Sequence, residues 1–157
     1  MPCMEYDIEV RDLPAQHAVA IRDTAAGKGL GSAMRQLYPV VRAFLEKRGI
    51  EPAGPSFGLY HSFSEDEVDF EAGFPVASPV EGEGRVRAIE LPATRAAVAV
   101  HVGPYTTISR AHDALDAWIH DQGHDHTRDV LEVYLVGPGD TEDSTTWRTE
   151  VIYPLER

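Results

Sequence analysis

Apolar positions along this chain alternate between two rhythms, one of period two and one of period 3.6, and the order in which they appear predicts the elements. Ile8-Glu9-Val10-Arg11 alternates like a half-buried strand, Leu13-Pro14 breaks it, and residues 17–21 resume an extended run. Met34, Leu37, Tyr38, Val41, Phe44 and Leu45 then recur at helical spacing, with Ser32 placed to cap the helix and Gly49 to end it. Pro39 conflicts with that helix, because a proline in the interior removes a hydrogen bond and should kink the segment. Residues 57–63 and 69–76 alternate again and read as two strands paired with each other, separated by an acidic loop.

The second half replays the order. Residues 85–90 and 96–102 read as strands, Gly103-Pro104-Tyr105 as a turn, and Thr106 or Thr107 as a helix cap. Ile108, Ala111, Leu115, Trp118 and Ile119 form the buried stripe of a helix that stops at Gly123, and residues 130–136 and 147–153 are the closing strands. Landmarks recur with the pattern. Asp12-Leu13-Pro14-Ala15 answers to Glu90-Leu91-Pro92-Ala93, and Glu71 and Glu150, each three residues before an aromatic-proline pair, stand 150 − 71 = 79 apart. The expected fold is therefore α+β, a tandem duplication of a strand-strand-helix-strand-strand unit over residues 1–80 and 81–157, with antiparallel sheets and one main helix per half. Residues 79–84 are the joint, and a cleft between the copies is the natural place for a ligand.

Composition narrows the function. At 157 residues and 43% hydrophobic, the chain is long enough for one domain with a real core and too short for two separate ones. A net charge of −12 with no basic patch argues against nucleic acid and against an anionic membrane surface. The lone Cys3 excludes an internal disulfide framework, the first residues lack a leader pattern, and no apolar run is long enough to span a bilayer; a cytoplasmic protein is expected.

Candidate chemistry centres on carboxylates among aromatics. Alternation puts Trp147, Thr149, Val151 and Tyr153 on one strand face and Glu150 with Ile152 on the other. A desolvated Glu150 either takes a raised pKa or demands a cation, and aromatic faces nearby make a generic site for an organic cation. Tyr134 shares a face with Glu132 and Val136, Tyr60 is its counterpart in the first copy, Tyr105 stands at a turn, and Phe57, Trp147 and His101 are further candidate walls. The plainer alternative is that Glu150 pairs with an arginine and the tyrosines pack. Glu71 and Glu132 are the other candidate acids, and two of them brought together would share a proton. His120, His124 and His126 cluster where Gly123 ends the helix, which makes a metal site unexpected.

The strings Gly54-Pro55-Ser56-Phe57-Gly58-Leu59-Tyr60, Asp69-Phe70-Glu71-Ala72-Gly73-Phe74-Pro75-Val76, His101-Val102-Gly103-Pro104-Tyr105, Glu132-Val133-Tyr134-Leu135 and Glu150-Val151-Ile152-Tyr153-Pro154-Leu155 resemble the GyrI-like small-molecule-binding domain. That domain is also the effector-binding part of some AraC-family and MerR-family multidrug regulators. The resemblance implies a pseudo-twofold duplication with a central ligand cleft and a ligand-facing glutamate matched to Glu150, with no cofactor. The chain has no stretch left for a DNA-binding helix-turn-helix, so it resembles the stand-alone members. Two activities follow from the resemblance. One is binding of a flat, apolar or cationic small molecule for sequestration, sensing or detoxification. The other is hydrolysis of electrophilic cyclopropane-containing natural products, with Glu150 activating water and Tyr134 donating to the carbonyl oxygen. Inhibition of a protein such as DNA gyrase follows only from the family's name, and a protein partner is left open.

Overall fold

A computed structural model describes residues 6–64, 66–127 and 129–156. Eight antiparallel strands and two main helices follow one another as β1 (Glu9–Leu13), β2 (Gln16–Ala25), α1 (Leu30–Lys47), β3 (Phe57–Phe63), β4 (Val68–Pro75), β5 (Arg87–Leu91), β6 (Thr94–Val102), α2 (Ser109–Asp121), β7 (Val130–Val136) and β8 (Arg148–Pro154). The architecture is α+β. Among the described residues no helix is long and apolar enough to cross a membrane.

The strands assort into two compact units, and their membership does not follow the halves of the sequence. One unit joins residues 1–13 to residues 94–157, and the other is the continuous stretch 14–93. In the first, the strands run β1-β6-β8-β7; in the second, β5-β2-β4-β3. Thus β1 does not turn back onto β2 but pairs with β6, Val10 opposite Ala97, and β5 pairs with β2, Ala18 opposite Ile89. The reason is local. Both would-be hairpins are Leu-Pro-Ala connections, in which proline supplies no N–H to close a tight turn and holds the preceding leucine extended.

In the discontinuous unit, β6 is the most enclosed strand. Ala96, Ala97, Val98 and Ala99 are all fully buried, which explains why this segment reads as small residues rather than as an alternation. One sheet face carries Ala97, Ala99, Val151 and Tyr153 and lies beneath α2, whose Ala111, Leu115 and Ile119 are buried. The opposite face carries a cluster of Ala96, Val98 and Ile152 with Leu13, Leu131 and Val133 packed around it.

In the continuous unit, α1 lies on β4 and β2 through Met34, Leu37, Val41, Phe44 and Leu45. The helix runs unbroken through Pro39. That residue is exposed, so water can serve the carbonyl that proline leaves without a partner. Neither helix uses the expected cap. Each is entered through a single 3-10 turn, residues 27–29 and 105–107, with no side-chain capping bond, and Ser32 lies inside α1. Gly73 marks the tightest approach between strands, since a methyl group there would overlap the Val19 carbonyl oxygen and lie 2.9 Å from Ala20 Cα. On β4, Glu71 sits opposite Arg22 and Leu59, and on β8, Glu150 sits opposite Val100 and Val133.

Candidate functional site

Glu132 and Tyr134 stand two residues apart on β7, and strand periodicity turns both toward the face covered by α2. Their register partners on β8 are Val151 and Thr149, and a bulge follows between Tyr134 and Val136. Glu132 is buried, at 7% exposure, yet it is well supplied with donors. The Tyr134 hydroxyl donates to Glu132 Oε1 at 2.9 Å, and His112 Nε2 meets Oε2 at 2.6 Å. His112 comes from α2 one residue after buried Ala111 and three before buried Leu115, on the flank of the apolar stripe. Its other nitrogen, Nδ1, lies 2.8 Å from the Tyr153 hydroxyl.

Burial first, then the charges of Asp116, Glu132 and Asp113, push the Tyr153 phenol well above its ordinary pKa, so its hydroxyl stays protonated. Which ring nitrogen of His112 donates follows its tautomer.

Aromatic rings stand beside Glu132. Tyr105 meets Tyr134 edge-on with centroids 5.7 Å apart, and Trp147 lies 5.0 Å from Tyr105 at a tilt of 36°. The backbone fixes this group. Gly103, at φ 128°, makes the turn that only glycine tolerates, and its N–H donates to the Trp147 carbonyl at 2.8 Å, tying the Tyr105 turn to the start of β8. Trp147 Nε1 donates to the Thr141 carbonyl, and Gly137 leaves room for the Tyr105 hydroxyl, which would lie only 2.9 Å from a methyl group placed there. Burial, then Glu132 and Asp140, raise the Tyr105 pKa, so this hydroxyl also stays protonated.

Of the residues singled out from sequence, the structure brings Glu132, Tyr134, Tyr105 and Trp147 together and gives the others different surroundings. Glu150 faces away from this group, because Tyr134 is in register with Thr149 rather than with residue 150. Its Oε2 accepts from Arg11 Nη1 at 2.8 Å, and Arg11 also contacts Glu9. The Glu150 hydrogen bond raises the Arg11 pKa against the opposing effect of burial. A depression of about 360 Å³ adjoins Arg11, lined by Tyr6, Asp7, Ile8, Glu9, Arg11, Val98 and Val100; Tyr6 is its one aromatic side chain, whereas Tyr134, Tyr105 and Trp147 stand together beside Glu132. His101 is likewise not a wall. At 3% exposure it fastens the Tyr105 turn, with Nε2 within 3.1 Å of the Pro104 carbonyl and Nδ1 within 2.9 Å of the Tyr6 hydroxyl.

In the continuous unit, Glu71 lies 2.7 Å from His61 Nε2. Phe57 and Tyr60 are buried packing residues there, and the Tyr60 hydroxyl bonds Met34 Sδ at 3.2 Å. His126 contacts Asp116 and the Thr127 carbonyl, and no group of three metal-ligating residues occurs among the described residues. Sequence reasoning missed His112 and Tyr153. A polar residue on the apolar flank of α2, in phase with Leu115, was the available signal.

The comparisons accord with a ligand-binding domain. The C-terminal domain of EcmrR superposes with a TM-score of 0.89 at 25% identity, covering 98% of this chain and 99% of that domain. EcmrR in a DNA complex gives a TM-score of 0.90 at 25% identity over 99% of this chain, which spans 59% of the EcmrR chain in that complex. A structure of SAV2435 bound to tetraphenylphosphonium has the same fold, with a TM-score of 0.71 at 12% identity over 96% of this chain and 94% of that one. No curated protein sequence matches the chain. The model of the GyrI-like small molecule binding domain matches residues 6–156, and the chain belongs to that family.

Proposed function

We propose that the chain binds a lipophilic organic cation at Glu132, with Tyr134, Tyr105 and Trp147 as its aromatic walls, for sensing or sequestration. One observation carries the reading: a buried carboxylate, Glu132, stands among aromatic side chains, accepting from the Tyr134 hydroxyl, with Tyr105 edge-on to Tyr134 and Trp147 beside Tyr105. A carboxylate so placed favours a positive partner, and each ring face adds about 0.5–2 kcal/mol for a cation lying over it. EcmrR and SAV2435 lend weight as relatives in fold, the second having been solved with a phosphonium cation.

Hydrolysis is the second reading, and Glu132 with Tyr134 would be its acid-base pair in place of Glu150. Its weakness is the disposition of hydrogens. The single phenolic proton of Tyr134 is already directed at Glu132, and a substrate carbonyl would have to take it from there. The test is isothermal titration calorimetry at pH 8 with tetraphenylphosphonium and, separately, with neutral triphenylphosphine oxide. Binding of the cation at least tenfold tighter than the neutral molecule is expected. Equal affinities, or no binding of either, would overturn the cation reading, and turnover of an electrophilic cyclopropane by the same protein would favour hydrolysis.

A further inference from the structure

We infer that Thr149 is a hydrogen-bonding residue of the site and that the ligand presents to it an uncharged acceptor, a ketone or amide carbonyl, carried on an aromatic body. The inference rests on the placing of the site at Tyr134, Tyr105 and Trp147 and adds a determinant of specificity that a carboxylate and aromatic rings do not supply.

Thr149 lies on β8 with Tyr134 opposite it on β7 and His101 opposite it on β6. Side chains paired across antiparallel strands share a sheet face, with their Cβ atoms about 4.5–5.5 Å apart, so Thr149 stands beside Tyr134, whose ring meets Tyr105. Two residues further along, Val151 lies on the face beneath α2, which puts Thr149 on that face as well. The residue is fully buried, at 0% exposure, and its Oγ1 has no hydrogen-bond partner among the described residues. The polar groups of its register neighbours are directed elsewhere. His101 engages Tyr6 through Nδ1 and meets Pro104 and Thr107 through Nε2, and the Tyr134 hydroxyl donates to Glu132.

A buried hydroxyl without a partner is costly, and folded proteins leave few of them. Valine has nearly the same shape as threonine and suits a strand equally well, and it occupies position 151 on the same face, so packing alone would be served by valine at 149. What threonine adds is one O–H. It can donate to a carbonyl entering among the rings, whereas a carboxylate only accepts. Because the hydroxyl is covered in the free protein, side chains over it must turn as the ligand enters, a change that is common at binding surfaces. A site arranged in this way tells an aromatic ketone from the hydrocarbon of the same shape, a distinction that neither charge nor ring contact provides.

The experiment compares 2-acetylnaphthalene with 2-ethylnaphthalene, a neutral pair of similar shape that differs in the acceptor, on wild type, Thr149→Val and Thr149→Ser, with binding followed by NMR at the Trp147 indole N–H. Thr149→Val should bind the ketone about fivefold more weakly than wild type does and the hydrocarbon at least as tightly. Thr149→Ser, which keeps the hydroxyl, should recover most of the lost ketone affinity. Urea unfolding supplies a second readout: ligand-free Thr149→Val should unfold at the same or a higher urea concentration than wild type, because it removes a group that has no partner. Unchanged ketone affinity in Thr149→Val, an equal loss of both naphthalenes, no recovery in Thr149→Ser, or a Thr149→Val protein clearly less stable than wild type, in which case the hydroxyl serves the fold through a buried water, would each overturn the inference. Both probes are neutral, so the cation reading is judged separately by tetraphenylphosphonium. A Trp147 resonance that answers to the cation and to neither naphthalene would sink the Thr149 assignment alone, and one that answers to none of the three would sink the site with it.

Discussion

Replacing Glu132 by Gln separates the charge of the site from its shape. The substitution preserves volume, and the polar network can be satisfied again: the amide oxygen still accepts from Tyr134, while the amide nitrogen donates to His112 Nε2 once the ring carries its proton on Nδ1 and donates to Tyr153. The change in folding stability should stay within about 1 kcal/mol. Ligand binding should respond differently. A unit charge about 5 Å from the carboxylate interacts by roughly 3 kcal/mol at an effective dielectric constant near 20. Phenyl groups around phosphorus lengthen the separation and part of the term is lost to desolvation, which leaves about 1–3 kcal/mol, or roughly a 5- to 150-fold loss of affinity. The assay is calorimetric titration of wild type and Glu132→Gln at pH 8 with tetraphenylphosphonium and triphenylphosphine oxide, alongside urea unfolding. The cation should weaken by that factor and the neutral molecule by less than about threefold. A Glu132→Gln protein that binds the cation as wild type does, or loses both ligands equally, would refute the assignment of the charge to Glu132.

Glu150→Gln should do the reverse, leaving cation affinity within about threefold while lowering stability by up to about 1 kcal/mol, because it breaks a partly exposed pair with Arg11; the same titration and urea curves check it. Arg22→Ala should raise the Asp69 pKa, measured by carboxyl NMR, because the Arg22 hydrogen bond is what holds it below the usual value. A depressed folded pKa contributes stability above the unfolded value and loses it as pH falls through the folded one, so the variant should differ from wild type near neutrality and converge with it in strong acid. Gly73→Ala should destabilise the fold by about 3 kcal/mol or more in urea, since backbone of β2 blocks the added methyl group.

Elements governed by local pattern were legible in the sequence, and choices made between distant segments were not. Residues 57–63 and 130–136 read as strands at their observed bounds because their alternation is unbroken. The starts of the helices were misread, since both emerge from 3-10 turns and neither offers a capping side chain. For β1 and β5 the Leu-Pro-Ala connections speak locally against a hairpin, but nothing local says which distant strand each one takes instead. The same limit governed the site. Alternation separated Glu150 from Tyr153 and joined Glu132 to Tyr134, but it could not say which face receives α2. Arg11, which occupies Glu150, lies 139 residues away in sequence, and His112, which orients Glu132, arrives from a helix 20 residues upstream.

The exchange of first strands also sets an order of events during synthesis. Residues 14–93 contain β2 to β5 with the pairings of β2 to β4, β2 to β5 and β3 to β4, so these can form as soon as the stretch has left the ribosome. The strand β1, made earlier, cannot. Glu9 is opposite Val98, which is added 98 − 9 = 89 residues later, a delay of roughly 4–18 s at about 5–20 residues per second. Throughout that interval β1 lacks its partner, and its charged Glu9, Arg11 and Asp12 supply the kind of charging that discourages nascent chains from pairing with one another. The first strand to be synthesised is among the last to be placed, and Arg11 reaches Glu150 only after nearly the whole chain has emerged.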